Sequence, residues 1–146
     1  MRKRESLFVT SSDSETELLG REIGKTLPQN AIIAFFGEFG AGKTTLIKGL
    51  ASEASGISPH AINSPTFTYL NIYPGKKTIY HFDLYRLTYE DAFYQLGFDE
   101  YFNAAGICLI EWSERIQNRL PSPRIDVHIT HSGEGKRQIR VIGIDA

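Results

Sequence analysis

The strongest chemical signal in the sequence is a glycine-rich segment, residues 37–45, which fits the pattern G-x-x-x-x-G-K-[ST] of phosphate-binding loops. Glycine adopts backbone angles that are closed to residues with a Cβ, so successive N–H groups can converge on one anion. In such loops the lysine reaches the β- and γ-phosphates of a nucleotide, and the hydroxyl that follows it ligates Mg²⁺. The alternative is a glycine turn without a ligand. The predicted nucleotide contacts in this segment are Gly37, Gly40, Ala41, Gly42, Lys43, Thr44 and Thr45.

Two acids are candidates for the second anchor that a nucleotide-hydrolysing loop needs for Mg²⁺. Glu111 follows four apolar residues, and the carboxyl end of such a strand is expected to face the phosphates. Asp83 also ends a segment built for burial, and a buried acid needs a partner. That partner is either a metal-bound or nucleophilic water, or Arg86 in a purely structural pair. We therefore predict Glu111 and Asp83 as catalytic and metal-binding residues, with a solvent-exposed strand end as the alternative for Glu111.

Four further residues are candidate nucleotide contacts outside the loop, and each has a structural alternative. Thr66 lies in the hydroxyl-rich segment 64–68, which could close over a γ-phosphate as GTPase switch loops do, or form an ordinary strand. Trp112 could stack on a base or pack in the core, and Arg137 could reach a phosphate or only solvent. Ser12 could border the base or serve only as a helix cap.

The elements that must position these residues follow from periodicity. Residues 31–36 form a continuous apolar run typical of a strand buried on both faces, and residues 45–51 carry apolar side chains at helical spacing. A capping box at residues 12–15 starts an earlier helix. Aromatic and β-branched segments around two glycine-containing turns predict two hairpins. The predicted fold is a single α/β, P-loop NTPase-like domain over residues 1–146, with a mostly parallel central sheet, antiparallel hairpins and helices on both faces.

Composition restricts the classes of partner. The 146 residues are 41% hydrophobic and 23% charged, which is ordinary for a globular domain. The net charge of −1 gives no field that would draw the chain to DNA or to a membrane, and no apolar run approaches the ~20 residues needed to cross a bilayer. The single cysteine, Cys108, excludes an internal disulfide. These features predict a cytoplasmic protein, and the basic residues 1–4 are expected to form a solvated tail, with an RNA-touching arm as the alternative.

Taken together, the loop and residues 64–68 (SPTFT), 81–86 (HFDLYR) and 109–112 (LIEW) closely resemble the small bacterial ATPases of tRNA threonylcarbamoyladenosine biosynthesis, the TsaE or YjeE family. The resemblance runs from about Ser12 to the C-terminus, with the four motifs in order. It implies a compact P-loop fold, binding of ATP with Mg²⁺, and weak hydrolysis by the chain alone. It also implies a TsaB–TsaD pair as the partner, through which the chain would act on tRNA indirectly.

The resemblance also assigns roles by position. It implies that Lys43 and Thr44 hold phosphate and Mg²⁺, that Glu111 is a Mg²⁺ ligand, and that Asp83 is the acid needed for hydrolysis. The residues that it places at the nucleotide outside the loop are Trp112, near the base, and Arg137.

The resulting hypothesis is a Mg²⁺-dependent ATPase that is accessory to tRNA modification, with three alternatives. A small-molecule kinase needs a second substrate pocket and usually an arginine-rich lid, whereas the arginines here are scattered. A GTPase switch needs an Asn/Thr-Lys-x-Asp segment for guanine recognition, and none follows the apolar strands. A nucleotide-binding scaffold would bind ATP without needing to hydrolyse it.

Overall fold

The structure is a computed structural model that describes residues 3–37, 42–65 and 68–144. Within these residues the strands are β1 Lys3–Thr10, β2 Ile32–Gly37, β3 Leu70–Tyr73, β4 Ile79–Asp83, β5 Ile107–Glu111, β6 Arg124–His131 and β7 Arg137–Ile144. The α-helices are α1 Asp13–Thr26, α2 Lys43–Ser55 and α3 Asp91–Gln95. Short 3₁₀ segments cover Pro59–Ala61, Phe98–Asn103 and Ser113–Arg119. No helix in these ranges is long and apolar enough to span a bilayer.

The strands form one mixed sheet in the order β1-β7-β6-β2-β5-β4-β3. Its centre is parallel, because β2 pairs in parallel with both β5 and β6, and β4 pairs in parallel with β5. The two outer parts are antiparallel hairpins, β3 with β4 and β6 with β7. The predicted mixed sheet and both predicted hairpins are therefore confirmed. The apolar strands β2 and β5 lie in the middle, where both faces of a strand are covered.

Helices cover both faces of the sheet, as predicted. One core lies under α1 and α2 and contains alternate residues of the central strands, such as Ile33, Phe35 and Leu109. The other core contains the intervening residues of these strands, packed against α3 and the 3₁₀ segments, with Phe93 and Ile116 at its centre. The alternation of strand side chains thus divides the apolar residues between two layers.

Close contact between α1 and α2 fixes the start of α2, which carries the end of the glycine loop. A Cβ at Gly20 would collide with the Leu46 carbonyl oxygen, and a Cβ at Gly49 would collide with the Glu17 carbonyl oxygen. The helices therefore meet backbone to backbone, which only glycine permits at these two points. This packing holds Lys43, the first residue of α2, at a defined place above the sheet.

The expectation of a solvated tail at residues 1–4 is wrong from Lys3 onward. β1 begins at Lys3 and pairs with β7 along its whole length, ending with Thr10 opposite Arg137. The sequence of this segment was not recognised as a strand with a buried apolar face. In the structure it has none at these positions, since Leu7 and Val9 are more than half exposed. Main-chain hydrogen bonds to β7, rather than burial of an apolar face, hold this edge strand in place.

Candidate functional site

The two predicted acids stand side by side at one edge of the sheet. Asp83 ends β4, Glu111 ends β5, and the two residues are direct partners in the parallel pairing of these strands. Ile79, two positions before His81 and four before Asp83, belongs to the core beneath α1 and α2. The period of two therefore directs His81 and Asp83 to the face of the sheet that carries α2.

Lys43 connects the glycine loop to these acids. Its side chain is buried, and Nζ donates a hydrogen bond to the Gly37 carbonyl oxygen at 2.9 Å. The same Nζ lies 4.1 Å from the centre of the Trp112 ring, a cation–π contact. Because Trp112 directly follows Glu111, the lysine of the loop and the acid of β5 belong to one cluster. The positive charge of Lys43 helps to lower the pKa of Glu111, and it opposes a rise in the pKa of Asp83.

Glu111 is a buried carboxylate held by two hydrogen bonds on one oxygen. Oε2 lies 2.7 Å from His81 Nε2 and accepts a bond from Ser64 Oγ at 2.9 Å. Burial opposes ionisation of Glu111, but the hydrogen bond and charge of His81, together with Ser64 and Lys43, lower the pKa of this carboxyl below its usual value. The side chain is thus an anion with a fixed orientation.

The pKa of Asp83 is shifted in the opposite direction. Burial raises the pKa of Asp83, and the neighbouring charge of Glu111 raises it further, although a hydrogen bond from the Tyr85 N–H to Oδ1 at 3.0 Å opposes the shift. The neighbouring carboxylates therefore differ in affinity for a proton, which is the arrangement that separates a metal ligand from a proton acceptor.

Arg137 lies against the end of the glycine loop, although 95 positions separate it from Gly42 in the sequence. A Cβ on Gly42, whose φ is +96°, would collide with the Arg137 side chain. The guanidinium donates to Asp13 Oδ1 at 2.8 Å and to Thr16 Oγ1 at 3.4 Å, both on α1. Its buried Nε has no hydrogen-bond partner within the described ranges. Arg137 therefore places a cation between the start of α1 and the start of α2.

The other predicted contacts are distributed around this cluster. Ser12 caps α1 by accepting a hydrogen bond from the Glu15 N–H at 3.1 Å, which confirms the predicted start of the helix, while the Glu15 side chain accepts from the Ser11 N–H instead of the Ser12 N–H. Thr44 and Thr45 lie in the first turn of α2, where the Thr44 side chain is exposed. The predicted contacts that lie outside the described residues are Gly40, Ala41 and Thr66.

Sequence reasoning did not find the role of His81. The four histidines of the sequence show no paired metal-ligand spacing, so nothing in the sequence assigned His81 a function. The position of His81 two residues before Asp83 was a usable signal, because residues i and i+2 of a strand share a face. What the spacing could not show is that His81 meets Glu111, 30 positions further along the chain.

The donor set fits Mg²⁺ held together with a nucleotide. Among the described residues, no three or more His, Cys, Asp or Glu side chains form a group that could cage a metal ion. Mg²⁺ is usually bound by one or two carboxylates together with substrate phosphates and water. An ionised Glu111 beside Asp83, with a hydroxyl at Thr44 in the first turn of α2, matches that kind of site.

Two cavities lie at different ends of the sheet. One, of about 630 Å³, is bordered by Gly37 and Trp112 and so adjoins the cluster. The other, of about 760 Å³, lies at the amino ends of β2 and β6, where Ile32 and Arg124 contribute to its walls. None of the predicted site residues borders the second cavity, so its larger size does not make it the centre of the chemistry.

Comparison with known proteins identifies one group of relatives. The family model described as "Threonylcarbamoyl adenosine biosynthesis protein TsaE" matches residues 10–139. A protein of Treponema pallidum, described as tRNA threonylcarbamoyladenosine biosynthesis protein TsaE, is 37% identical over 133 residues, which cover 91% of this chain and 97% of the relative. Relatives with the same description are 38% identical in Bacillus subtilis and 41% identical in Nostoc sp., each over 89% of this chain and over 80% and 82% of the relative.

The fold has a counterpart among solved structures. The crystal structure of YdiB from Bacillus subtilis superposes with a TM-score of 0.80 at 29% sequence identity. The match covers 99% of this chain and 88% of the YdiB chain. The arrangement of sheet and helices described above is therefore shared with an experimentally determined protein.

Proposed function

Because the chain belongs to the TsaE family of threonylcarbamoyl adenosine biosynthesis proteins, we propose that it is a Mg²⁺-dependent ATPase that supports tRNA threonylcarbamoyladenosine modification. The descriptions of the relatives name the pathway, tRNA threonylcarbamoyladenosine biosynthesis. The ATPase chemistry is inferred from the residues of this chain. The observation that supports it most directly is the meeting of Lys43, Glu111 and Asp83 at one edge of the sheet, where the glycine loop joins α2.

In this proposal the phosphates of ATP lie at the start of α2. The N–H groups of the helix start and of the loop, residues 37–45, would bind the phosphate oxygens, and the dipole of α2 would add to their attraction. Lys43 leaves Gly37 and Trp112 to neutralise charge on the β- and γ-phosphates. Arg137, beside Gly42, contributes a second positive charge to the nucleotide. The other residues that we propose as nucleotide contacts are Ser12, Gly40, Ala41, Thr44, Thr45, Thr66 and Trp112.

The acids have separate roles. Thr44 and Glu111 would hold Mg²⁺, which when bound neutralises the charge that develops on the phosphate oxygens. Asp83 orients the attacking water and accepts its proton, a role favoured by its raised pKa. A direct or water-mediated contact of Asp83 with Mg²⁺ is compatible with the same position at the end of β4.

We expect the isolated chain to turn over slowly. The glycine loop itself supplies no arginine, and Arg137, which with Arg86 is a candidate for the catalytic arginine, is bonded to Asp13 of α1 at 2.8 Å. A missing catalytic arginine costs ~10³-fold or more in phosphoryl transfer. A TsaB–TsaD-type complex is the proposed partner that stimulates hydrolysis, and tRNA is reached through that complex in the cytoplasm.

Reconstitution tests the proposed function. Purified chain is mixed with a TsaB–TsaD pair, tRNA and a threonylcarbamoyl donor, with ATP and Mg²⁺ added or withheld, and modified adenosine and released phosphate are both measured. We expect modification to require the chain, ATP and Mg²⁺ together, and hydrolysis to be faster with the partners. Modification that proceeds equally well without the chain, or with a Lys43→Ala variant that no longer binds ATP, would overturn the proposal.

Hydrolysis and binding are separated by two further variants. Asp83→Asn and Glu111→Gln are tested in the same mixture, with binding of ATP measured independently. We expect both variants to lose tRNA modification. Asp83→Asn should nevertheless keep the wild-type affinity for ATP. Full modification by both would instead indicate a nucleotide-binding scaffold that does not need hydrolysis.

A further inference from the structure

His81 is a buried polar side chain that has one directional contact. Its side chain is 1% exposed, and Nε2 lies 2.7 Å from Glu111 Oε2. The other ring nitrogen, Nδ1, is buried without a hydrogen-bond partner within the described part of the chain. A buried polar atom without a partner costs free energy, so an aliphatic residue would suit this strand better if stability alone mattered. The contact with Glu111 is the feature that accounts for a histidine at this position.

The two donors on Glu111 act on the same oxygen. Ser64 Oγ donates to Oε2 from the segment before β3, and His81 reaches the same atom from β4. A carboxyl group bonded twice through Oε2 cannot rotate freely about its last torsion. Its other oxygen, Oε1, is bound by neither donor and points in a direction that the pair determines.

We propose that His81 is a positioning residue for Glu111, and that the Nε2–H to Oε2 hydrogen bond holds the carboxylate so that Oε1 faces the Mg²⁺ that accompanies ATP. Ser64 assists as a second donor to the same oxygen. The inference rests on the proposed Mg²⁺–ATP binding and deepens it by naming the residue that orients the metal ligand. Partners of this kind usually affect metal affinity by about 10–100-fold.

His81 acts through Glu111 and does not touch the reacting atoms. Its removal is therefore expected to weaken the binding of Mg²⁺ and to leave the binding of nucleotide without metal unchanged. A purely structural role predicts another pattern, in which folding stability and metal-free nucleotide binding change together.

The test compares amide variants of equal polarity and different reach. In His81→Gln the side-chain NH₂ takes the place of Nε2 and can donate to Glu111, whereas in His81→Asn the shorter amide stops near the place of Nδ1. His81→Leu removes the donor entirely. The matched control is His128→Leu, since His128 alternates with Val127 and Ile129 of the core beneath α1 and α2 and therefore lies on the opposite face of the sheet.

Affinity for ATPγS is measured by calorimetry in EDTA and across a Mg²⁺ titration, and thermal unfolding is followed for every variant. We expect His81→Leu and His81→Asn to bind Mg²⁺ about 10–100-fold more weakly in the nucleotide complex and to keep their affinity for ATPγS in EDTA. His81→Gln should recover most of the loss, and His128→Leu should keep the wild-type affinity for Mg²⁺ in the nucleotide complex.

Each other result counts against the inference. Wild-type Mg²⁺ affinity in His81→Leu or His81→Asn would overturn it, as would equal losses in His81→Gln and His81→Asn. If His81→Leu does not fold, the pair of amide variants decides the question. If the wild type itself binds ATPγS equally well in EDTA and Mg²⁺, the proposed function fails on its metal, and the role of His81 fails with it. That outcome is distinguished by the wild-type titration alone.

Discussion

Asp83 and Glu111 are direct partners across the parallel strands β4 and β5, yet the pKa of Asp83 is raised while the pKa of Glu111 is lowered. Burial is the largest influence on both and disfavours both charges. Glu111 overcomes it through hydrogen bonds from His81 and Ser64. The Tyr85 N–H and the charges of His81 and Lys43 favour the Asp83 anion, but they do not offset burial and the charge of Glu111. The two acids lie at the ends of neighbouring strands and thus differ in pKa because their surroundings differ.

Asp83→Asn should lower the rate of ATP hydrolysis by about 10²–10⁴-fold, the usual contribution of a positioned general base. The raised pKa of Asp83 means that wild-type kcat/KM should increase with pH through an inflection above 3.8, as the carboxyl loses its proton. The measurement is phosphate release across pH, with Asp99→Asn, at the other end of the sheet, as control. An unchanged pH profile in Asp83→Asn would remove Asp83 from the role of base.

Binding of Mg²⁺–ATP should change the fluorescence of Trp112, the single tryptophan of the chain. The Lys43 ammonium lies 4.1 Å from its ring centre and must leave to reach the phosphates, so the environment of the indole changes. The emission is titrated with ATP in the wild type and in Trp112→Phe, which should give no signal. Emission that stays constant while calorimetry shows binding would mean that Lys43 keeps its contact with Trp112.

Asp13→Asn should tighten ATP binding by up to about fivefold, because Asp13, whose side chain is exposed, holds the Arg137 guanidinium at 2.8 Å and such an ion pair is worth about 0.2–1 kcal/mol. Arg137→Ala should weaken it. Glu15→Gln is the control, since Glu15 lies in the same turn of α1 and bonds the Ser11 N–H instead. Calorimetry on the three variants decides the point, and equal affinity in all three would exclude Arg137 from the nucleotide.

Gly20→Ala should lower the free energy of unfolding by about 1–3 kcal/mol, the usual cost of overpacking. The added methyl meets the Leu46 carbonyl oxygen and forces α2 away from α1. Because α2 carries Lys43, ATP affinity should fall as well. Gly143→Ala is the control, as nothing lies within 4 Å of its added Cβ. Urea unfolding compares the two, and equal stability would contradict the close helix contact.

Stability should also depend on pH through His128. Burial and the charge of Arg140 lower the pKa of this imidazole below 6.5 in the folded chain. The unfolded chain then binds the proton more readily, so the contribution of His128 is present above pH 6.5 and is lost as the pH falls through its folded pKa. His128→Phe keeps a ring against Phe36 and should flatten this part of the profile. Identical profiles for variant and wild type, measured by urea unfolding, would refute the assignment.

The sequence alone determined the glycine loop, the strand–loop–helix order around it, both hairpins and the two acids at strand ends. These features are local: a pattern of glycines, an apolar run or an alternation of side chains lies within about ten residues and acts directly on the backbone angles of that segment. The period of two in β4 even placed His81 on the same face as Asp83.

Only the tertiary structure decided which residues meet. His81 and Ser64 reach Glu111 across 30 and 47 positions, and Arg137 reaches Gly42 across 95. Such contacts depend on the register of the parallel strands and on how closely α1 approaches α2. The periodicity of a single segment carries no information about either. β1 was missed for the same reason, since its stability comes from the exposed edge of β7 and not from a pattern of its own. The sequence specifies which chemical groups each segment carries. The packing of the segments decides which hydrogen-bond donors surround each acid and so shift its pKa.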